Sequence, residues 1–125
     1  MKRFYDKTLV ETYLKQTKHE SIMRGLQEHL FVAQYEKGEF ITMPLQQEHL
    51  FQIIIQGSVS IYFIKDNGAE YSLANSKEND LLGEMEIFPH QLNNVYAESN
   101  GKVICLALSI ETSKSALLEN CRFLQ

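Results

Sequence analysis

Residues 50–74 read LFQIIIQGSVSIYFIKDNGAEYSLA, and their pattern decides the fold. LFQIIIQ and SVSIYFIK are two runs rich in Ile, Val, Phe and Tyr, the side chains that suit a pleated, half-buried surface, and Gly57 hinges them. In the second run Val59, Ile61 and Phe63 alternate with Ser58, Ser60 and Tyr62, so one face of that strand is expected to be buried. Asn67-Gly68 follows. Both residues tolerate the positive φ of a type I′ turn, so the chain is expected to return through EYSLA as an antiparallel hairpin.

The strand rhythm extends in both directions. Upstream, HLFVAQYE and EFITM flank the turn at Lys37-Gly38, and Pro44 closes the second run. Downstream, DLLGE supplies a short strand, and NNVYAES and KVICLALS are expected to form a last pair around Asn100-Gly101. The two ends read as helix. Leu9, Tyr13 and Leu14 make one stripe at helical spacing, and Ile22, Met23 and Leu26 a second, with Ser21 as its N-cap and Gly25 weakening it. In SIETSKSALLENCRFLQ, Thr112 or Ser113 caps a helix with Leu117, Leu118, Cys121 and Leu124 or Phe123 on its apolar side. Many short strands between terminal helices imply a sandwich or jelly roll.

A chain of 125 residues, 44% hydrophobic and 22% charged, is an ordinary one-domain globule. Twelve basic residues against sixteen acidic ones give a net charge of -4, which disfavours DNA binding by this chain alone, because DNA affinity rests on phosphate neutralisation. Lys2, Arg3, Lys7, Lys15 and Lys18 gather near the start, but Asp6, Glu11 and Glu20 lie among them, as on a solvated helix face. Cys105 and Cys121 form no Cys-x-x-Cys pair, and Cys105 lies within an apolar strand, where a thiol behaves as a small hydrophobe. With no signal peptide and no long apolar run, the cytoplasm is the expected compartment and no membrane contact is expected.

Enzyme chemistry finds little support. His19, His29 and His49 fall on different elements; Glu86 and His90 are four apart, but Pro89 interrupts them. Three or four converging ligands are needed for a metal, so no metal and no cofactor are expected, and this weighs against a small cupin-type metalloprotein. No nucleophile turn of the Gly-x-Ser-x-Gly kind is present, and no catalytic residue is assigned. Tyr62, Tyr71 and Tyr96 are expected to line the interior, as core or as the wall of a small-ligand site.

Taken in order, KGEFI, the Pro44 turn, residues 50–74, NDLLGEMEIF and VICLALS resemble the sensor domain of the Crp/Fnr superfamily of bacterial transcription regulators. The resemblance implies a mainly β fold: a double-stranded β-helix, the jelly roll of cyclic-nucleotide-binding domains, with flanking N- and C-terminal helices. It divides residues 1–125, one sensor domain, into N-terminal helices (1–29), jelly roll (30–109) and the start of a C-terminal helix (110–125). It implies a non-catalytic, effector-sensing role. DNA would be bound only through a helix-turn-helix domain outside this chain, and the full-length regulator would be a homodimer. LENCRFLQ stands where the family continues into its dimerisation helix. A stand-alone module acting by protein contact is the alternative.

The family's phosphate-binding cassette maps onto Gly83 and Glu84, with Met85, Ile87 and Phe88 as its apolar turn. In relatives that bind cyclic AMP, the glycine admits the ligand, the glutamate bonds the ribose, and a downstream arginine pairs with the phosphate. Asn93 and Asn94 stand in that downstream region, in PHQLNNVYA, and neither lysine nor arginine occurs between Glu84 and Lys102. A helix N-terminus favours an anion by about 0.3–2 kcal/mol, whereas desolvating a charge costs several. Glu84 and Glu86 add a like-charge penalty of about 1–4 kcal/mol. The loop is therefore expected either to pack on its own side chains or to hold a small-molecule effector of unknown identity other than a cyclic nucleotide.

Overall fold

A computed structural model of the protein describes residues 1–43, 49–65, 67–82 and 95–111. Among these residues, strands β1 (Lys2–Phe4), β2 (Phe31–Tyr35), β3 (Phe40–Thr42), β4 (Leu50–Gln56), β5 (Val59–Ile64), β6 (Glu70–Ser76), β7 (Leu81–Leu82), β8 (Val95–Ser99) and β9 (Val103–Ser109) form two sheets. One is ordered β1-β2-β9-β4-β7 and the other β3-β8-β5-β6. All pairings are antiparallel. The fold is a mainly β jelly roll with helices at its N-terminal end.

Helix α1 (Lys7–Gln16) starts at Asp6, whose carboxylate accepts from the amides of Thr8 at 2.8 Å and Leu9 at 3.3 Å. Val10 and Leu14 are its buried residues, and Leu9 and Tyr13 pack beside them. The second stripe forms only the short α2 (Glu20–Arg24) and a 3-10 turn at Gln27–His29. Ser21 is not the cap. The helix begins two residues earlier, from His19, and Gly25 ends it. Strand β1 has no counterpart in the sequence reading, since three residues are too few to show a period.

These helices cover the outer face of the five-stranded sheet. Val10, Leu14, Met23 and Leu26 pack against Val32, Phe51, Ile53, Ile104, Leu106 and Leu108. The opposite face supplies Phe31, Ala33, Tyr35, Leu50, Ile54, Val103, Cys105 and Ala107 to the space between the sheets. VICLALS is apolar without alternation because β9 is buried on both sides. The four-stranded sheet has only its inner face in the core. Val59 is fully buried and Ile61 packs beside it, but the rest of β5 is half-buried and the edge strand β6 is largely exposed.

Two local expectations are corrected. Strands β8 and β9 do not pair with each other: β8 lies between β3 and β5, and β9 between β2 and β4. The links β2–β3, β4–β5 and β8–β9 all cross from one sheet to the other and meet at one end. There the Gly38 amide donates to the Ser99 carbonyl at 2.9 Å, the Ser99 amide to the Glu39 carbonyl at 2.9 Å and the Asn100 amide to the Ser58 carbonyl at 3.1 Å. The Asn67-Gly68 hairpin does form, but Asn67 and Gly68 are not the two central residues of its turn. Gly68 has φ 84. The Gly68 amide bonds the Lys65 carbonyl, and the Asn67 side chain accepts from the Ala69 amide at 2.9 Å. Gly68 thus ends the turn in the left-handed region, and the asparagine side chain holds it by hydrogen bonding.

Candidate functional site

The loop singled out by the sequence, with Gly83, Glu84, Met85, Asn93 and Asn94, lies outside the described residues, as do Glu86, Pro89, His90 and the C-terminal residues 112–125. Its two attachments are described. Leu81 and Leu82 pair with Ile53 and Gln52 at the edge of the five-stranded sheet, and Leu82 is buried between the sheets. Val95 opens β8 opposite Phe63, inside the four-stranded sheet. Residues 83–94 thus join one sheet to the other.

The turn entering the loop is tied to the N-terminal segment. Asn79 has φ 72. Its amide bonds the Ile54 carbonyl at 2.8 Å, and the Ile54 amide bonds the Asp80 carbonyl at 3.1 Å. Asparagine is among the few residues that accept this backbone, and its side chain is used as well. Oδ1 accepts from Thr17 Oγ1 and the Lys18 amide, each at 3.0 Å, while the Asn79 carbonyl lies 2.8 Å from His19 Nε2. Sequence reasoning missed this junction. The visible signal is Asn79 within the short polar turn KEND between two strands.

Among the described residues, Tyr35 and Gln52 form a polar pair in the interior. Tyr35 and Gln52 are 2% and 1% exposed, and the Tyr35 hydroxyl donates to Gln52 Oε1 at 2.8 Å. Burial pushes the phenol well above its ordinary range, and the nearby Cys105 sulfur adds to this. Burial likewise pushes the Cys105 thiol up, so it is a neutral packing group here. In sequence, Gln52 is the polar residue inside LFQIIIQ. Ser99 Oγ is buried with no hydrogen-bond partner.

Two of the three tyrosines expected inside are elsewhere. Tyr62 and Tyr96 stand on the outer face of the four-stranded sheet, since Ile61 and Ala97 take the inward positions. Tyr71 is 45% exposed and stacks on Phe63, with ring centroids 5.3 Å apart. Tyr71 stands opposite Phe63 in the register and so shares the side of the sheet that Val59 and Ile61 occupy.

Among the described residues no group of three or more His, Cys, Asp or Glu side chains could hold a metal. His49 Nδ1 lies 2.8 Å from Glu111 Oε1, and Ser109 Oγ donates to Glu111 Oε2 at 3.2 Å. The carboxylate therefore bridges serine and histidine, whereas activating a serine requires the histidine in the middle. No described helix is long and apolar enough to cross a membrane.

The model of the cyclic nucleotide-binding domain matches residues 32–120. Among solved structures, the regulatory subunit of a cAMP-independent protein kinase A from Trypanosoma cruzi, bound to guanosine, superposes with a TM-score of 0.74 at 16% identity, over 91% of this chain and 42% of that one. A triple mutant of the corresponding subunit from Trypanosoma brucei, bound to cAMP in its A site, gives 0.69 at 20% identity, over 92% and 46%. The sensor domain of the transcriptional regulator DNR from Pseudomonas aeruginosa gives 0.72 at 20% identity, over 93% and 81%. The chain thus spans less than half the length of the kinase subunits, and at these identities the likeness is one of fold. No curated protein matches the chain in sequence. The family match covers most of the two-sheet roll and both attachments of the loop, and the chain belongs to the cyclic nucleotide-binding domain family.

Proposed function

We propose that this domain is the effector-sensing, non-catalytic part of a cytoplasmic, Crp/Fnr-like bacterial transcription regulator, and that its effector is not cyclic AMP. The observation that carries the second half is the absence of any lysine or arginine from residues 84–101 of a cyclic nucleotide-binding domain. A cyclic phosphate held there would face Glu84 and Glu86 without a cation to offset its desolvation. The first half draws support from the likeness to the DNR sensor domain, of which this chain covers 81%.

In this reading Gly83, Glu84, Met85, Asn93 and Asn94 belong to the effector loop, residues 1–29 carry strand β1 and the helical layer, 30–109 the rest of the roll, and 110–125 the start of the helix that leads to a dimer interface. DNA is contacted by a helix-turn-helix domain outside this chain. A parent reading frame that continues past Gln125 into a basic helical segment supports this. A frame that stops there favours a stand-alone module acting by protein contact.

A second reading concerns the effector class. A cAMP-independent kinase subunit of this fold is bound to guanosine, which has no phosphate to neutralise. In the cAMP-bound triple mutant of its relative, one substitution replaces a threonine by arginine and another removes a glutamate. An uncharged nucleoside would suit the cation-poor loop of the present chain in the same way. The test adds the missing charge: Asn93→Arg or Asn94→Arg should create weak cyclic AMP binding, measured by calorimetry. If both variants remain silent, the loop is built for something other than a nucleotide.

A further inference from the structure

The four-stranded sheet has a second face. Ile41, Val59, Ile61 and Ala97 point into the core, so strand alternation turns Phe40, Ser60, Tyr62, Tyr96 and Glu98 to the opposite side. Three of these form a ladder of rings across β3, β8 and β5. Phe40 and Tyr96 lie 5.4 Å apart at 55°, and Tyr96 and Tyr62 stack at 5.6 Å and 13°. Tyr62 stands directly opposite Tyr96 in the register, and Glu98 stands opposite both Phe40 and Ser60. The Tyr62 hydroxyl donates to Glu98 Oε1 at 2.9 Å, which fixes the carboxylate beside the rings.

Charge on this sheet has one sign. Its strands, FIT, VYAES, VSIYFI and EYSLANS, contain Glu70 and Glu98 and no lysine or arginine. Among the described residues, the ion pairs of lysine, arginine, histidine and the N-terminus go to Glu11, Glu20, Glu39 and Glu111, not to Glu98. A half-buried carboxylate beside stacked rings, lacking a cation of its own, is complementary to a guanidinium. That group is planar, stacks on aromatic faces and binds a carboxylate through its forked donors. Phe40, 39% exposed, extends the apolar surface on which the rest of such a segment would lie.

We propose that the Phe40–Tyr96–Tyr62 face is a docking surface for an arginine-bearing basic segment of a partner protein. The guanidinium stacks on the tyrosine pair and bonds Glu98. This surface lies on the reverse of the sheet from the core and does not depend on which effector the loop holds.

A fluorescein-labelled hexa-arginine peptide, titrated with the intact chain and followed by fluorescence anisotropy, tests it. Saturable binding is expected, weakened about tenfold by Glu98→Gln and by Tyr96→Ser, with hexa-lysine binding several-fold more weakly than hexa-arginine. Phe40→Ala, on a short edge strand, is the aromatic variant to use if melting shows that Tyr96→Ser is unfolded. Binding that Glu98→Gln leaves unchanged would reflect only diffuse attraction to a chain of net charge -4 and would overturn the proposal. So would absence of saturation, or concentration-dependent dimerisation of the chain that Tyr96→Ser abolishes, since the face would then bind a second copy.

Discussion

At Gly57 the backbone has φ 100, and a Cβ placed there would sit 2.5 Å from the Lys102 carbonyl oxygen and 3.0 Å from a Val103 methyl. Two independent constraints therefore meet at one residue: a conformation that L side chains resist, and a close approach of the β8–β9 link to the β4–β5 link. Gly57→Ala should lower stability by about 2 kcal/mol or more, seen as a fall in the urea midpoint with little change in slope. A variant as stable as the parent would show that this end of the sandwich yields readily. The sequence marks Gly57 as a hinge between two strand-like runs, but not what it hinges. The carbonyl it must avoid belongs to a residue far along the chain.

At the scale of elements, the junction of Asn79 with Thr17, Lys18 and His19 joins the helical layer to the turn that precedes residues 83–94. Removing a polar group that satisfies buried or half-buried donors costs about 1–3 kcal/mol. Asn79→Ala should therefore speed hydrogen exchange at the Lys18 amide and destabilise the fold by about that amount. Asn79→Gly keeps the backbone conformation and so isolates the side-chain part; if Gly behaves like the parent at Lys18, the side chain is not the tie.

Strand identities were legible because apolar, β-branched runs and turn residues are local signals. β2 to β9 all coincide with runs read as strands, although β6 continues to Ser76, two residues past EYSLA, and the helix stripe at Leu9, Tyr13 and Leu14 packs as its spacing implies. Pairing was legible only where a tight hairpin makes it local, as in β5 and β6. NNVYAES and KVICLALS look like a hairpin around Asn100-Gly101, yet that turn carries the chain across the sandwich, and each strand finds its partners far away in sequence. The same distance effect hid the site. Gly83 and Glu84 stand out as a motif, whereas the Asn79 junction and the Tyr35–Gln52 pair depend on contacts that no short window contains.

The whole molecule carries titratable groups whose folding linkage has a definite sign. The Glu39 carboxyl is held below its ordinary value of 4.5 by the N-terminal ammonium, and the Glu11 carboxyl by the Arg24 guanidinium. Their contribution is present above that ordinary value and is lost as pH falls below it. It should be small, because both pairs are exposed to solvent. On the alkaline side, Cys105 and Tyr35 are raised from ordinary values of 9.0 and 10.0 by burial. Their contribution is present below those values and is lost as pH rises beyond them, because the unfolded chain releases these protons first. Thermal melts should therefore show a shallow decline in acid and a steeper one above about pH 9. In Cys105→Ala the alkaline decline should begin nearer the tyrosine range. A melting temperature that stays flat in alkali would mean that these groups are not buried.

The central claim for the molecule as a whole is that a cyclic nucleotide-binding domain without a basic residue in residues 84–101 does not take up a cyclic nucleotide. Isothermal titration calorimetry of the unmodified chain with cyclic AMP and cyclic GMP, with guanosine run in parallel, tests it most directly. The account predicts no saturable heat with either cyclic nucleotide up to millimolar concentration; micromolar or tighter binding of cyclic AMP or cyclic GMP would contradict it.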